Sequence, residues 1–236
     1  MGDAKRVIVR VIPSNIARPF IIKHHYSRKA VNNSNLHFGA FIDNKLHGVM
    51  SFGPSIDKSK ILPLVDGTGW NEMLELNRMA FDDALPRNSE SRCIAQAIRM
   101  IKKNAPQIKW IISFADGCQC GDGAIYRASN FVLTQIKKND RLLILPSGEV
   151  KHALDLATVP NKRLPELGGR TFAEITGGAY SEKKYCEITG AKPIEGYQLR
   201  YIYFIDPEYR KRLTVLEIPY SKIQEIGAGM YKGEKR

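Results

Sequence analysis

The chain has 236 residues and carries 36 Lys plus Arg against 24 Asp plus Glu, a formal net charge of +12. A composition of 43% hydrophobic and 25% charged residues excludes wholesale disorder, and no apolar run approaches the ~20 residues of a membrane helix. Four cysteines at irregular spacing exclude a secreted disulfide scaffold.

Met1 to Arg10 is charged and runs straight into a strand pattern, unlike a signal peptide, so a cytoplasmic protein is expected. The positive balance attracts polyanions. Val7 to Ile12 alternates and is rich in β-branched residues, which predicts a strand ended by Pro13. Ser14 is placed to cap a short helix over Asn15 to His24, with Pro19 tolerated in its first turns. Leu36 to Ile42, a turn at Asp43 to Lys45, and Leu46 to Phe52 predict a hairpin. Residues 53–71 have no sustained period and read as a loop.

Met73 to Phe81 predicts a strand. Ile94, Ala97, Ile98 and Ile101 predict a helix running to Lys103, with Asn88 or Ser89 as its N-cap. Ile108 to Phe114 is a nearly continuous apolar run, the pattern of a central strand. A short helix begins at Gly123, and Leu142 to Leu145 and Leu199 to Ile205 predict further strands. Residues 148–196 are too long for a simple connection and predict an elaboration carrying function or contacts, and a basic tail starts at Pro207. The whole reads as one mixed α/β domain without the alternation, G-x-G-x-x-G or P-loop of a nucleotide fold.

Two stretches carry chemistry. The turn before the 89–103 helix offers free backbone N–H groups flanked by arginines, so Arg87, Asn88, Ser89, Ser91 and Arg92 are candidates for holding the phosphates of a cofactor. A plain β-turn-α connection is the alternative. Beyond Asp116, Ala124-Ile-Tyr126-Arg-Ala-Ser-Asn130-Phe131 resembles the acyl-CoA N-acyltransferase (GNAT) superfamily, in which a helix bears a Tyr shortly before a Gly-Phe pair. Asn130 stands where Gly is usual, and both tolerate a left-handed backbone.

Adding His24-His-Tyr-Ser27, Glu75-Leu-Asn-Arg78, Ser113-Phe-Ala-Asp116 and Gly123-Ala-Ile-Tyr-Arg127, the chain resembles the phage Mom proteins, the adenine-modifying branch of that superfamily. The resemblance covers roughly residues 20–205. It implies a GNAT-like α/β fold, with a mixed, mostly antiparallel central sheet flanked by helices and a C-terminal elaboration. It also implies a phage- or prophage-encoded transferase that makes N6-(carbamoylmethyl)adenine in DNA and so shields it from host restriction. A bound iron is implied, with acetyl-CoA or a related donor. His25, Tyr26, Arg78, Asp116 and Tyr126 match the catalytic positions, and His25, Tyr26, Asp116 and Tyr126 supply donors suited to iron. Tyr126 is the phenol that can protonate a departing thiolate.

Adenine N6 is engaged in pairing, so the expected partner is double-stranded DNA with the base flipped out. No membrane is expected, and a homodimer stays open. Arg28, Lys29, Arg170, Lys183 and Lys184 are the candidate phosphate contacts, although each basic cluster also reads as a solvated face. His24 and His25 equally suit a helix C-terminus, Asp116 the start of an Asp-Gly turn, Tyr126 a core position, and Cys118-x-Cys120 a loop of reduced thiols. Two other activities fit the pattern: an ordinary acetyl-CoA-dependent N-acetyltransferase on a protein or small amine, and a non-catalytic DNA-binding protein.

Overall fold

The first three strands follow from alternation and turn chemistry. Strand β1 (Ile8–Val11) pairs antiparallel with β2 (Leu36–Ile42), and β2 with β3 (Lys45–Gly53). The β2–β3 connection is the two-residue turn Asp43-Asn44, both at positive φ (49° and 61°), which Asn and Asp accept most readily. Strand β4 (Met73–Phe81) continues the antiparallel run, and β5 (Trp110–Asp116) then pairs with it in parallel. In this computed structural model residues 3–118, 120–153, 156, 162–231 and 234–235 are described.

The sheet has eight strands in the order β1-β2-β3-β4-β5-β8-β6-β7, with β6 spanning Val132–Ile144, β7 Val150–His152 and β8 Lys192–Phe204. Among the described residues only the β4–β5 pair is parallel, so the mixed, mostly antiparallel sheet expected from the sequence is the one observed. That parallel ladder lasts three residue pairs, Met73–Glu75 against Trp110–Ile112. Beyond it β4 stays with β3 and β5 with β8, so the sheet forks at its centre.

Helix α1 (Ser14–His24) packs Ala17 and Ile21 against Ile12 and Val49. On the opposite face, α3 (Ser89–Asn104) buries Cys93, Ile94, Ala97, Ile98 and Ile101 in the main core. That spacing winds one apolar stripe around a 3.6-residue helix, each aliphatic side chain contributing about 1.5–3 kcal/mol. Helix α4 (Ala124–Ala128) follows β5. A second small core, with Leu143, Leu167, Phe172 and Tyr185 buried, underlies part of residues 148–196.

Several sequence expectations are corrected. Pro13, not Ser14, is the N-cap of α1, and Ser14 lies within the helix. Residues 53–71 include the helix α2 (Lys58–Ile61) and a 3-10 turn (Leu62–Leu64), both shorter than a periodicity argument can detect. Strand β6 starts at Val132 rather than Leu142, because its Gln135–Lys138 stretch is polar, and β8 starts at Lys192 rather than Leu199. The basic tail is no tail. Tyr209, Leu213 and Val215 pack on Trp110 and Ile202, Ile218 bridges to Leu133, and Ile223 is buried. Arg210 and Lys211 there are paired with Glu217 and Glu208.

Candidate active site

The fork between β4 and β5 opens a cavity of about 500 Å³. Helix α1 ends at His24, and the extended C-cap His25 turns the chain so that His25 and Tyr26 reach this cavity, their rings 4.2 Å apart. Arg78 comes from β4, Asp116 from the end of β5, and Tyr126 from α4, so five expected catalytic residues separated by a hundred positions share one wall.

Each is held differently. Arg78 donates from Nε to the Lys29 carbonyl (3.3 Å) and from Nη1 to the Asn77 carbonyl (2.7 Å), which leaves its charge facing the cavity without a carboxylate across those bonds. His25 is 7% exposed, and its Nδ1 accepts from the Ser27 backbone N–H at 3.1 Å. Burial, with the Arg78 cation beside it, pushes its pKa down to about 4. The ring is therefore neutral at pH 7 and carries its hydrogen on Nε2. Tyr26 is 47% exposed at the cavity mouth, while burial of its hydroxyl, with Cys120 and Asp116 nearby, pushes the phenol up. Asp116 Oδ1 accepts from the Cys118 N–H at 3.0 Å, and its carbonyl accepts from Cys120 and Gly121, so it also builds the turn that closes β5.

Tyr126 is buried, its ring between Phe131 (5.4 Å) and Tyr201 (5.3 Å). Its hydroxyl is 2.8 Å from Ser113 Oγ, which is 3.1 Å from the Leu76 carbonyl. Burial raises its pKa, so the phenol stays protonated. Gly123 starts α4 at φ +83°, and a Cβ there would lie 2.3 Å from the Tyr201 ring; only glycine fits on both counts. Asn130 has φ +63°, the left-handed backbone expected at that position.

The iron-donor set does not fit as it stands. His25 Nδ1 already accepts from the Ser27 N–H, the Tyr126 hydroxyl is engaged with Ser113, and Asp116 Oδ1 accepts from the Cys118 N–H. Among the described residues no three His, Cys, Asp or Glu side chains gather to hold a metal ion.

The phosphate-turn candidates border the cavity without lining it. Asn88 is the N-cap of α3 at φ +68°, Ser89 Oγ donates to the Pro86 carbonyl and Ser91 Oγ to the Asn88 carbonyl, and the buried Arg92 Nε has no partner. Arg87 flanks the same turn, and Glu90 is the first-turn residue that faces the cavity. Arg28 and Lys29 follow directly on Tyr26, with Arg28 at φ +51°. Arg170, Lys183 and Lys184 belong instead to the second core's shell, on the order of 20 Å along β8 from Gln198 at the cavity.

The cavity also takes in residues that sequence reasoning did not assign: Glu75, Asn77, Cys120, Asp122, Gln198 and Tyr231. Glu75 and Asn77 left a trace, two polar residues at period two in a strand whose one other polar residue is Arg78. Asp122, buried and paired with Arg127 at 3.0 Å, anchors the loop ahead of α4. Tyr231 arrives only because residues 213–231 fold back, which no local pattern announces.

The family model of the Mom protein family matches residues 6–222. The chain belongs to the Mom protein family. Its relatives include the methylcarbamoylase Mom of Escherichia phage Mu, 34% identical over 218 residues that span 89% of this chain and 80% of that protein. Solved structures similar to it include an N-acetyltransferase from Staphylococcus aureus Mu50 (10% identity, TM-score 0.46, 85% of this chain and 99% of that one). An IAA acetyltransferase from Bacillus cereus ATCC 14579 is similar too, at 10% identity and TM-score 0.44, over 84% and 99% of the two chains. Among the described residues no helix is long and apolar enough to cross a membrane.

Proposed function

We propose that this Mom-family protein is a transferase that places a carbamoylmethyl group on N6 of adenine in double-stranded DNA, protecting phage DNA from host restriction. The observation that carries the reading is the forked cavity, in which the Mom-type residues His25, Tyr26, Arg78, Asp116 and Tyr126 converge. Family membership and the methylcarbamoylase relative support the group transferred. The net charge of +12 supports a polyanionic substrate.

The transfer forms an N6–CH₂ bond. The bond from the methylene carbon to its leaving group breaks with its electron pair, and N6 gives up one proton. Attack on a thioester carbonyl would instead make an amide, so the reacting carbon is the methylene. Acetyl-CoA has no leaving group on its methyl carbon, so the donor this step needs is X–CH₂–CONH₂, with X departing as an anion. An anionic part of that donor would sit at the N-terminus of α3 near Arg87 and Arg92, where Arg92 Nε lacks a partner. Arg78, lining the cavity, stabilises negative charge that develops there. Asp116 is the carboxylate placed to receive the N6 proton, and Tyr126, protonated at pH 7 and lining the cavity, can give one to the departing group. Tyr26, half-exposed at the mouth, offers an aromatic face to the flipped base.

Restriction protection tests the reading. DNA from cells expressing the protein should resist enzymes whose sites contain adenine and remain cut at sites made only of G and C. Asp116→Asn should abolish the resistance. Full cutting at adenine-containing sites with the wild-type protein would overturn the proposal.

A further inference from the structure

Asn77 lies at the fork on β4 and is 7% exposed. Its Oδ1 accepts from Ser34 Oγ at 2.9 Å, and Ser34 is itself 8% exposed. That bond turns the amide so that Nδ2 is the free end, and Nδ2 is buried in the cavity wall with no hydrogen-bond partner. A buried amide donor left without a partner is destabilising, and native proteins rarely leave one so. A ligand acceptor is the natural partner.

Glu75 stands two residues earlier and lines the same cavity, Asn77 being the extra residue of a bulge in the β3–β4 pairing. Burial pushes its carboxyl up, and the Ser55 and Asn77 side chains beside it act in the opposite sense. The Asn77 amide lies close enough to influence that carboxyl, although Nδ2 makes no hydrogen bond of normal geometry to it. The wall therefore presents one donor beside one acceptor.

We propose that Asn77 and Glu75 select the target base: Asn77 Nδ2 donates to the bare ring nitrogen next to the exocyclic amine, and Glu75 accepts from the amine itself. The inference rests on the cavity being a nucleobase site. A free Asn side chain can serve both atoms of adenine by itself. Here Ser34 occupies its oxygen, so the acceptor role passes to Glu75. Adenine and cytosine show an amine beside a bare nitrogen. Keto bases put an oxygen where the amine belongs, and that oxygen would face the Glu75 oxygens. The pair thus separates amino from keto bases.

The test measures binding apart from transfer. The full chain is titrated with duplexes carrying an unpaired adenine, hypoxanthine, 1-deazaadenine or 7-deazaadenine. The wild type should prefer adenine over hypoxanthine by roughly tenfold or more. It should lose a similar factor on one of the two deaza bases, which identifies the ring nitrogen. Asn77→Ala and the near-isosteric Asn77→Asp should each weaken adenine binding by that factor and show no further loss on the sensitive deaza base. Equal wild-type affinity for all four bases, or losses that simply add, would overturn the assignment. Base preference without any modified adenine would count against the transfer reading alone.

Discussion

The hydroxyls of Ser113 and Tyr126, 2.8 Å apart, join β5 to α4 inside the fork of the sheet. Ser113 Oγ also reaches the Leu76 carbonyl on β4 at 3.1 Å. A carbonyl can only accept, so Ser113 spends its proton on Leu76 and takes one from Tyr126. One serine thereby ties both arms of the fork to the phenol.

Tyr126→Phe removes the proton and keeps the ring between Phe131 and Tyr201. Modification should fall by about a hundredfold or more, while the thermal midpoint moves by only a few degrees, since one buried hydrogen bond contributes about 1 kcal/mol. Nucleoside analysis and a melting curve check both halves. Full activity in the variant would remove Tyr126 from the chemistry.

His25 titrates near 6.5 when unfolded and near 4 in the fold. Between those values the unfolded chain binds more protons, so His25 leaves stability intact above about pH 6.5 and erodes it as the pH falls toward 4. From about pH 7.5 to about pH 5 the loss should be roughly 2 kcal/mol, read from urea midpoints. His25→Gln should show a correspondingly shallower pH dependence. Identical slopes in the two proteins would refute the buried neutral imidazole.

Gly123 and Gly148 share φ +83° but not their surroundings. A Cβ at Gly123 meets the Tyr201 ring at 2.3 Å, and one at Gly148 meets nothing within 4 Å. Gly148→Ala should cost about 1–2 kcal/mol for the backbone alone, and Gly123→Ala a further 1–3 kcal/mol for the overlap. Equal losses in denaturant midpoint would contradict the Tyr201 contact.

Lys183 and Lys184 tell whether DNA runs beyond the cavity along β8. If both meet phosphates, Lys183→Ala/Lys184→Ala lowers the slope of log affinity against log salt by about 2, and Arg28→Ala by about 1. An unchanged slope in the double variant would confine DNA to the fork side.

Local patterning revealed the parts of this fold whose stabilisation is local. Met73–Phe81 has the bounds expected of it, and the α3 stripe from Ile94 to Ile101 and the Asp43-Asn44 turn were legible from period and turn chemistry. What escaped depends on distant partners. The polar Gln135–Lys138 stretch is strand because β8 lies alongside it, and Tyr209, Ile218 and Ile223, too far apart to form a pattern, bring the C-terminal residues back onto the core. The site divides the same way. The cavity-lining His25, Tyr26, Arg78, Asp116 and Tyr126 stand in short motifs, whereas the free Asn77 Nδ2 depends on Ser34, 43 positions away.

The most direct measurement is mass spectrometry of nucleosides from the DNA of cells expressing the protein. The account predicts a deoxyadenosine heavier by one carbamoylmethyl group, absent with Asp116→Asn and Tyr126→Phe. Unmodified adenine in wild-type cells that contain the folded protein would contradict it.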